Sequence, residues 1–304
     1  MTGLRACALG GARRPADAAF CVDATQLASA RMAASNAPLI GVDFSSRPSA
    51  RKPIVVALGA CDGARVSVRG FLRFATLEAF GAWLQATPQW MGGFDLPFGL
   101  PRELVQHLGW PLDWRACIEH YAALPRAQVR ATFAAFCAAR PAGRKFAHRA
   151  CDGPAGSSPS MKWVNPPVAY MLHAGVPLLL AASATLPAHA HTGDAQRVAL
   201  EAYPGLLARE IIGLRSYKSD DAARHTDDRL WARIAIVDAL CEGRTRLALL
   251  LTLDVAQHEA LLDDASGDAL DAVLCLMQGA WASLRADHGL PQAVDPLEGW
   301  IVSA

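Results

Sequence analysis

The chain has 304 residues, of which 52% are hydrophobic and 19% are charged, and its formal net charge is +1. This composition supplies enough apolar side chains for a buried core and excludes disorder over most of the length. The nearly neutral charge argues against a protein that coats nucleic acid by charge alone, although it leaves room for a local basic groove. No apolar stretch is long enough for a membrane helix or a signal-peptide core.

The eight cysteines are scattered, and none forms a C-x-x-C pair, which argues against a zinc knuckle. Reduced thiols in a chain of this size predict a cytoplasmic protein without membrane association. Residues 1–37 are rich in alanine and arginine and show weak periodicity, so we expect a poorly ordered N-terminal extension. Met32 is an alternative start, because the first clear strand follows it.

The organised part begins with three predicted strands. Residues 38–44 form an apolar run that contains Asp43 near its end, and a second apolar run covers Ile54 to Leu58. Residues 65–74 alternate between mostly polar and mostly apolar side chains with a period of two, which predicts a third strand. Because short loops join these strands, we expect an antiparallel meander.

A helix capped by Thr76 follows, and residues 90–96 then form a fourth strand that prolines interrupt. A strand that is reached through a helix is expected to run parallel to an earlier strand. Residues from about 101 to 194 are mostly helical, with Asp113 as a helix cap and a long loop from Gly143 to Pro167. This region is interpreted as an insertion in the sheet domain.

The α/β order returns with a fifth strand at residues 197–204, which contains Glu201. Thr226 is expected to cap a later helix, and a last long helix is predicted from about Ser266 to Arg285. The predicted fold is therefore an α/β domain with a mixed five-stranded sheet, flanked by helices and carrying a helical insertion between strands 4 and 5.

Five acids stand out in this framework. Asp43, Asp95 and Glu201 lie at or near the ends of apolar strands, where the crevice of an open α/β sheet forms. A charged residue in such a run is costly unless it is paired or bound to a metal. Asp268 and Asp271 share one face of a largely apolar helix. We therefore expect the strand acids and at least one helix acid to meet at one edge of the sheet.

Plainer explanations exist for each acid taken alone. A strand-end aspartate is more often a turn or cap residue than a ligand. Asp268 is placed to cap its helix, whereas Asp271 lies one turn inside the helix, beyond easy capping. Asp271 is therefore predicted to matter more for activity than Asp268.

Four motifs occur in order along the chain, and together they resemble a known family. They are Gly41-Val42-Asp43-Phe44-Ser45, Gly93-Phe94-Asp95-Leu96-Pro97-Phe98-Gly99-Leu100-Pro101, Glu201-Ala202-Tyr203-Pro204 with Tyr217-Lys218 downstream, and Asp268-Ala269-Leu270-Asp271-Ala272. The family is a bacterial and archaeal one of unknown function, described as predicted nucleases with a ribonuclease H-like fold. The similarity covers about Leu39 to Ala282, and the last motif also resembles the last helix of Holliday-junction resolvases. The resemblance implies one ribonuclease H-like domain over residues 38–304.

The activity that the resemblance implies is metal-dependent hydrolysis of phosphodiester bonds. Asp43, Asp95, Glu201 and Asp271 would bind Mg²⁺ or Mn²⁺, with Asp268 as a further catalytic candidate, since hard oxygen ligands favour these ions. Two such ions would activate water and stabilise the leaving oxygen. The candidates for holding the phosphates of a nucleic acid are Lys145, Arg149, Lys162 and Lys218.

Two other classes of function are left open by the sequence. The same type of sheet underlies actin-like nucleotide-binding phosphotransferases, although no second Gly-rich phosphate loop is present here. A protein that keeps the fold and binds nucleic acid or another ligand without catalysis is the other alternative. If the nuclease interpretation holds, the loop from Gly143 to Pro167 should overhang the acids and direct cations towards them.

Overall fold

Seven strands form one mixed sheet in a computed structural model that describes residues 38–304. The expectations for residues 1–37 lie outside the described residues. The order across the sheet is β5-β6-β4-β1-β2-β3-β7. The strands are β1 (Leu39–Asp43), β2 (Ile54–Asp62), β3 (Arg65–Phe74), β4 (Trp90–Asp95), β5 (Ala184–Thr185), β6 (Asp194–Glu201) and β7 (Leu250–Thr252).

Six of these strands run in one direction, and β2 alone runs against them. The antiparallel pairs are β1 with β2 and β2 with β3, which confirms the predicted meander. β4 is parallel to β1, as expected for a strand reached through a helix. The sheet has seven strands rather than the predicted five, because β5 and β7 extend its two edges. They have two and three residues, which is too short for a periodic pattern to show in the sequence.

Ten α-helices accompany the sheet in the described part of the chain. They are α1 (Leu77–Ala86), α2 (Arg102–His107), α3 (Trp114–Ala123), α4 (Arg126–Ala138), α5 (Asp152–Ala155), α6 (Val168–Ala181), α7 (Pro204–Ile212), α8 (Asp227–Cys241), α9 (Val255–Asp263) and α10 (Asp268–Ser283). The predicted caps at Thr76 and Asp113 accept hydrogen bonds from backbone amides, whereas the Thr226 side chain forms no such bond. Helices α2 to α6 make up the predicted insertion. No helix within residues 38–304 has the length and apolar character needed to cross a membrane.

The two faces of the sheet cover separate hydrophobic cores. Val42 and Phe94 point into one core, which also contains side chains of α1, α3, α4 and α6. The opposite core is built largely from α7, α8 and α10. Helix α10 is central to this second core, since 14 of its 16 residues are buried.

Helix α10 lies directly on the backbones of β1 and β4. Gly41 and Gly93 are register partners in these two neighbouring strands. A Cβ atom on Gly41 would collide with the carbonyl oxygen of Ala272, and one on Gly93 would collide with that of Cys275. Two glycines therefore permit a close approach that larger residues would prevent. This approach brings the first turns of α10 to the carboxyl ends of both strands.

Candidate metal centre

Asp43 and Asp95 are neighbours at the carboxyl ends of two parallel strands. They are register partners in β1 and β4, each two residues after the glycine that faces α10. Since side chains alternate along a strand, both carboxylates point to the α10 face of the sheet. The repeated Gly-x-Asp pattern in the two strands is the sequence signal for this arrangement.

Asp271 on α10 completes a cluster of three carboxylates. One oxygen each from Asp43, Asp95 and Asp271 lies within 4.8 Å of the others. Two oxygens on one Mg²⁺ ion are at most about 4.2 Å apart, so small side-chain rotations would let all three share a cation. Asp43 is 8% exposed and Asp271 is fully buried. The donor set, its spacing and its burial therefore fit a hard divalent cation.

The electrostatics of the cluster also favour a bound cation. Burial, followed by the charge of Asp271, raises the pKa of Asp43 well above its usual value. The same two causes, in the same order, raise the pKa of Asp95 to about 7. Carboxylates held this close either take up protons or bind cations. A divalent ion would thus remove a repulsion that the fold itself creates.

Tyr217 and Lys218 belong to the loop after α7 and contact the carboxylate of Asp271. The Tyr217 hydroxyl donates a hydrogen bond to one carboxylate oxygen of Asp271, and the Lys218 ammonium contacts the other. Burial lowers the pKa of Lys218, but Asp271 and the other negative charges outweigh it and raise that pKa well above the usual value. Lys218 is therefore a stable positive charge at the cluster, and 39% of its side chain is exposed. The role of Tyr217 was not predicted, and its place beside Lys218 was the only sequence signal.

Glu201 does not join the three aspartates. It is the register partner of Phe94 rather than of Asp95, so its side chain points to the opposite face of the sheet. There both of its oxygens accept hydrogen bonds from the Arg149 guanidinium, at 2.6 and 2.8 Å. The backbone amide of Phe98 donates to it as well, at 2.9 Å. The prediction of Glu201 as a metal ligand is thus replaced by a role in a buried ion pair.

Arg149, predicted to hold phosphate, is the centre of this buried network. Its side chain is 1% exposed and also binds Asp152, at 3.0 Å. Burial lowers the pKa of Arg149, but the charge of Glu201 outweighs it and the pKa lies well above its usual value. The guanidinium joins the long loop to β6, and it has no free edge for a substrate phosphate. We assign Arg149 to the structure of the site rather than to substrate binding.

Asp268 is engaged in a separate ion pair. The Lys52 ammonium lies 2.6 Å from Asp268 and 2.6 Å from Asp220. Asp268 does not cap its helix either, because Gly267 occupies the N-cap position and Asp264 accepts the hydrogen bonds from the backbone there. Asp268 is outside the three-carboxylate cluster, although it lies one helical turn from Asp271.

A family model described as "Protein of unknown function (DUF429)" matches residues 41–294, a span that contains all three aspartates of the cluster. The chain belongs to this family. Neither the curated proteins nor the solved structures contain a match to the chain.

Part of the long loop lies beside Asp95 in this family member, but the two lysines that were predicted to point towards the acids do not. Ser157, Ser158 and Pro166 line a pocket together with Asp95 and Tyr203. Two lysines of the loop do not line that pocket: Lys145 is exposed, and Lys162 is partly buried elsewhere in the described structure. Arg149 also lines that pocket, but Glu201 and Asp152 engage its guanidinium. Of the four predicted phosphate-binding residues, Lys218 is the one that contacts an aspartate of the cluster.

Proposed function

We propose that the protein is a Mg²⁺- or Mn²⁺-dependent nuclease whose metal ligands are Asp43, Asp95 and Asp271. The observation that carries this proposal is the convergence of three carboxylates from β1, β4 and α10 on one point. The two strand acids are held at a cost in stability, since burial and the charge of Asp271 raise their pKa values.

The chemistry follows from the ligand type. A divalent cation bound by carboxylates lowers the pKa of a coordinated water and stabilises negative charge on a phosphodiester. The three aspartates would hold and orient that cation, with Tyr217 fixing one oxygen of Asp271. Lys218 lies close enough to offer its ammonium to a phosphate oxygen next to the cluster.

The sheet supports the ribonuclease H-like assignment that the sequence resemblance implies. The central strands are a three-stranded meander, β1 to β3, followed on the other side of β1 by the parallel strands β4 and β6. The acids lie where β1 and β4 end, and the last long helix supplies the third carboxylate. These are the features that the resemblance to predicted nucleases of that fold requires.

The proposal is tested by incubating the purified protein with Mg²⁺ or Mn²⁺ and a panel of substrates. The panel contains single- and double-stranded DNA, single- and double-stranded RNA, and branched junctions. We expect metal-dependent cleavage that the Asp43→Asn and Asp271→Asn variants lose. Asp62→Asn is the matched control, since Asp62 is an exposed acid at the end of β2 that lies away from the cluster.

The alternatives give different results in the same assay. Turnover of ATP without cleavage of any polynucleotide would favour the actin-like phosphotransferase. Binding of the metal without turnover of either kind would indicate a non-catalytic member of the fold. Cleavage that survives in both Asp43→Asn and Asp271→Asn would contradict the proposed ligand set.

A further inference from the structure

A second feature of the molecule is a cleft that is lined by three arginines. The first turn of α6 lies between this cleft and Asp95. We call it the arginine cleft, and its lining includes Ser46, Arg47, Arg126, Arg130, Pro167 and Tyr170. The neighbouring residues Pro166, Val168 and Met171 line the pocket that contains Asp95. One helical turn therefore separates the arginine cleft from the pocket beside the acids.

Within residues 38–304, no carboxylate balances the positive charges of this cleft. Among residues 38–304, no carboxylate lies within 4.0 Å of the side chains of Arg47, Arg126 or Arg130. Burial, and after it the charge of Arg47, lowers the pKa of Arg126. The fold thus holds like charges together, and an anion from outside would relieve their repulsion.

Arg126 is held in place by contacts that are not anionic. One of its amino groups donates to the carbonyl oxygen of Ser46, at 2.7 Å, and its guanidinium lies 5.1 Å from the centre of the Tyr170 ring. These contacts fix the guanidinium near the start of the loop that follows Asp43. Arg47 and Arg130 line the same cleft and are exposed, so a ligand can reach both.

Two helices add to the positive potential. Helix α4 starts at Arg126 and α6 starts after Pro167, and neither helix has a side-chain cap at its N-terminus. In the first turn of α6 the Ala169 amide donates to the carbonyl oxygen of Lys162, at 2.9 Å, whereas no side chain within the described structure accepts from the first amides of either helix. The positive ends of both dipoles lie at the cleft. This arrangement strengthens the binding of an anion that the arginines attract.

The distance to the acids indicates the size of the anion. Ser46 is three positions after Asp43, so their Cα atoms are at most about 11 Å apart. A polynucleotide strand carries one phosphate for about every 3.4 Å of helix axis. A strand with one phosphate at the acids has further phosphates within this reach, whereas a small monophosphate does not.

We propose that the arginine cleft binds backbone phosphates of a polynucleotide whose cleaved phosphodiester lies at Asp43, Asp95 and Asp271. This inference rests on the proposed nuclease function and deepens it, because it names a polymer rather than a small phosphorylated molecule as the substrate. The strand runs from the arginine cleft across the start of α6 to the metal ligands.

The test measures binding of fluorescently labelled single-stranded DNA and RNA oligonucleotides by anisotropy, with Ca²⁺ in place of Mg²⁺ and over a series of salt concentrations. A denaturing gel verifies that the strands stay intact. The test variant is Arg47→Ala/Arg130→Ala, which spares Arg126 and its bond to the loop. The control is Arg65→Ala/Arg69→Ala, since both are exposed arginines on β3 and Arg65 begins that strand at the opposite end of the sheet.

We expect the Kd of the test variant to rise by about tenfold or more at low salt, because two phosphate contacts are lost. The slope of log Kd against log salt should fall by about 1.4, which is about 0.7 for each contact on a single strand. The control variant should bind like the wild type.

If the test variant binds the oligonucleotides as tightly as the wild type, the proposed role of the arginine cleft is overturned and the nuclease proposal stands. Binding that depends on the arginines, without metal-dependent cleavage of any phosphodiester, would overturn the nuclease proposal and leave the cleft standing. A wild type that binds no oligonucleotide would overturn the cleft as a polynucleotide site.

Discussion

Replacing Asp95 by Asn should stabilise the metal-free protein at alkaline pH while removing its response to metal. Burial, followed by the charge of Asp271, raises the pKa of Asp95 from 3.8 to about 7. The folded chain therefore keeps a proton that the unfolded chain releases. The stabilisation from this group is complete below about pH 3.8 and is lost as the pH rises through about 7. At 1.36 kcal/mol for each pKa unit, ionised Asp95 costs at most about 4 kcal/mol.

The assay is thermal unfolding in EDTA at about pH 5 and about pH 8. Each kcal/mol shifts Tm by about 2–4 °C in a protein of this size, so Asp95→Asn should melt several degrees above the wild type at the higher pH. At about pH 5 the two should be close to each other, because wild-type Asp95 is then largely protonated. Mn²⁺ should raise the Tm of the wild type and of the control Asp62→Asn, but not that of Asp95→Asn. A variant that is less stable than the wild type at both pH values would refute the reasoning.

Three further predictions concern the remaining parts of the site. In Gly41→Ala, the added methyl group collides with the backbone of α10, so urea unfolding should show a free energy of unfolding that is lower by about 3 kcal/mol or more. Gly153→Ala is the control and should be close to neutral, because a Cβ atom there meets nothing within 4 Å. Arg149→Ala leaves two buried carboxylates without their cation and should cost about 3–5 kcal/mol in the same assay; unchanged stability would contradict the buried network. Calorimetric titration with Mn²⁺ should show no binding to Asp271→Asn and retained binding to Asp268→Asn. Equal loss in both would indicate two ligands, and loss in Asp268→Asn alone would reverse the assignment.

Much of the site was visible in the sequence because strand ends are easy to recognise. An apolar run that ends in an acid, followed by polar or proline residues, predicts a buried strand with a carboxylate at its edge. Asp43 and Asp95 meet this description, and the structure places them side by side. Asp271 was also recognisable, because an acid one turn inside an apolar helix has no use as a cap. Local pattern was sufficient for these three residues.

The positions of the residues outside the cluster could not be predicted, because they depend on contacts that no local sequence pattern records. Glu201 also ends an apolar strand, but its register partner in β4 is Phe94, one residue before Asp95. Its carboxylate therefore faces the other core, where a loop arginine about fifty residues earlier in the chain binds it. Arg149 was predicted to hold a phosphate because it is a cation in a polar loop, and only the folding of that loop over β6 buries it.

The sequence by itself determined the five longer strands, the main helices and the three acids, because these depend on periodicities of two and 3.6 residues along neighbouring positions. The tertiary structure alone decided which acids converge, and which cations within residues 38–304 have no carboxylate partner. Those outcomes depend on strand register, on the close approach of α10 over Gly41 and Gly93, and on the packing of α4 and α6 around Arg126. A shift of one residue in register moves a carboxylate from one face of the sheet to the other, and this shift leaves no trace in the pattern of the strand that carries it.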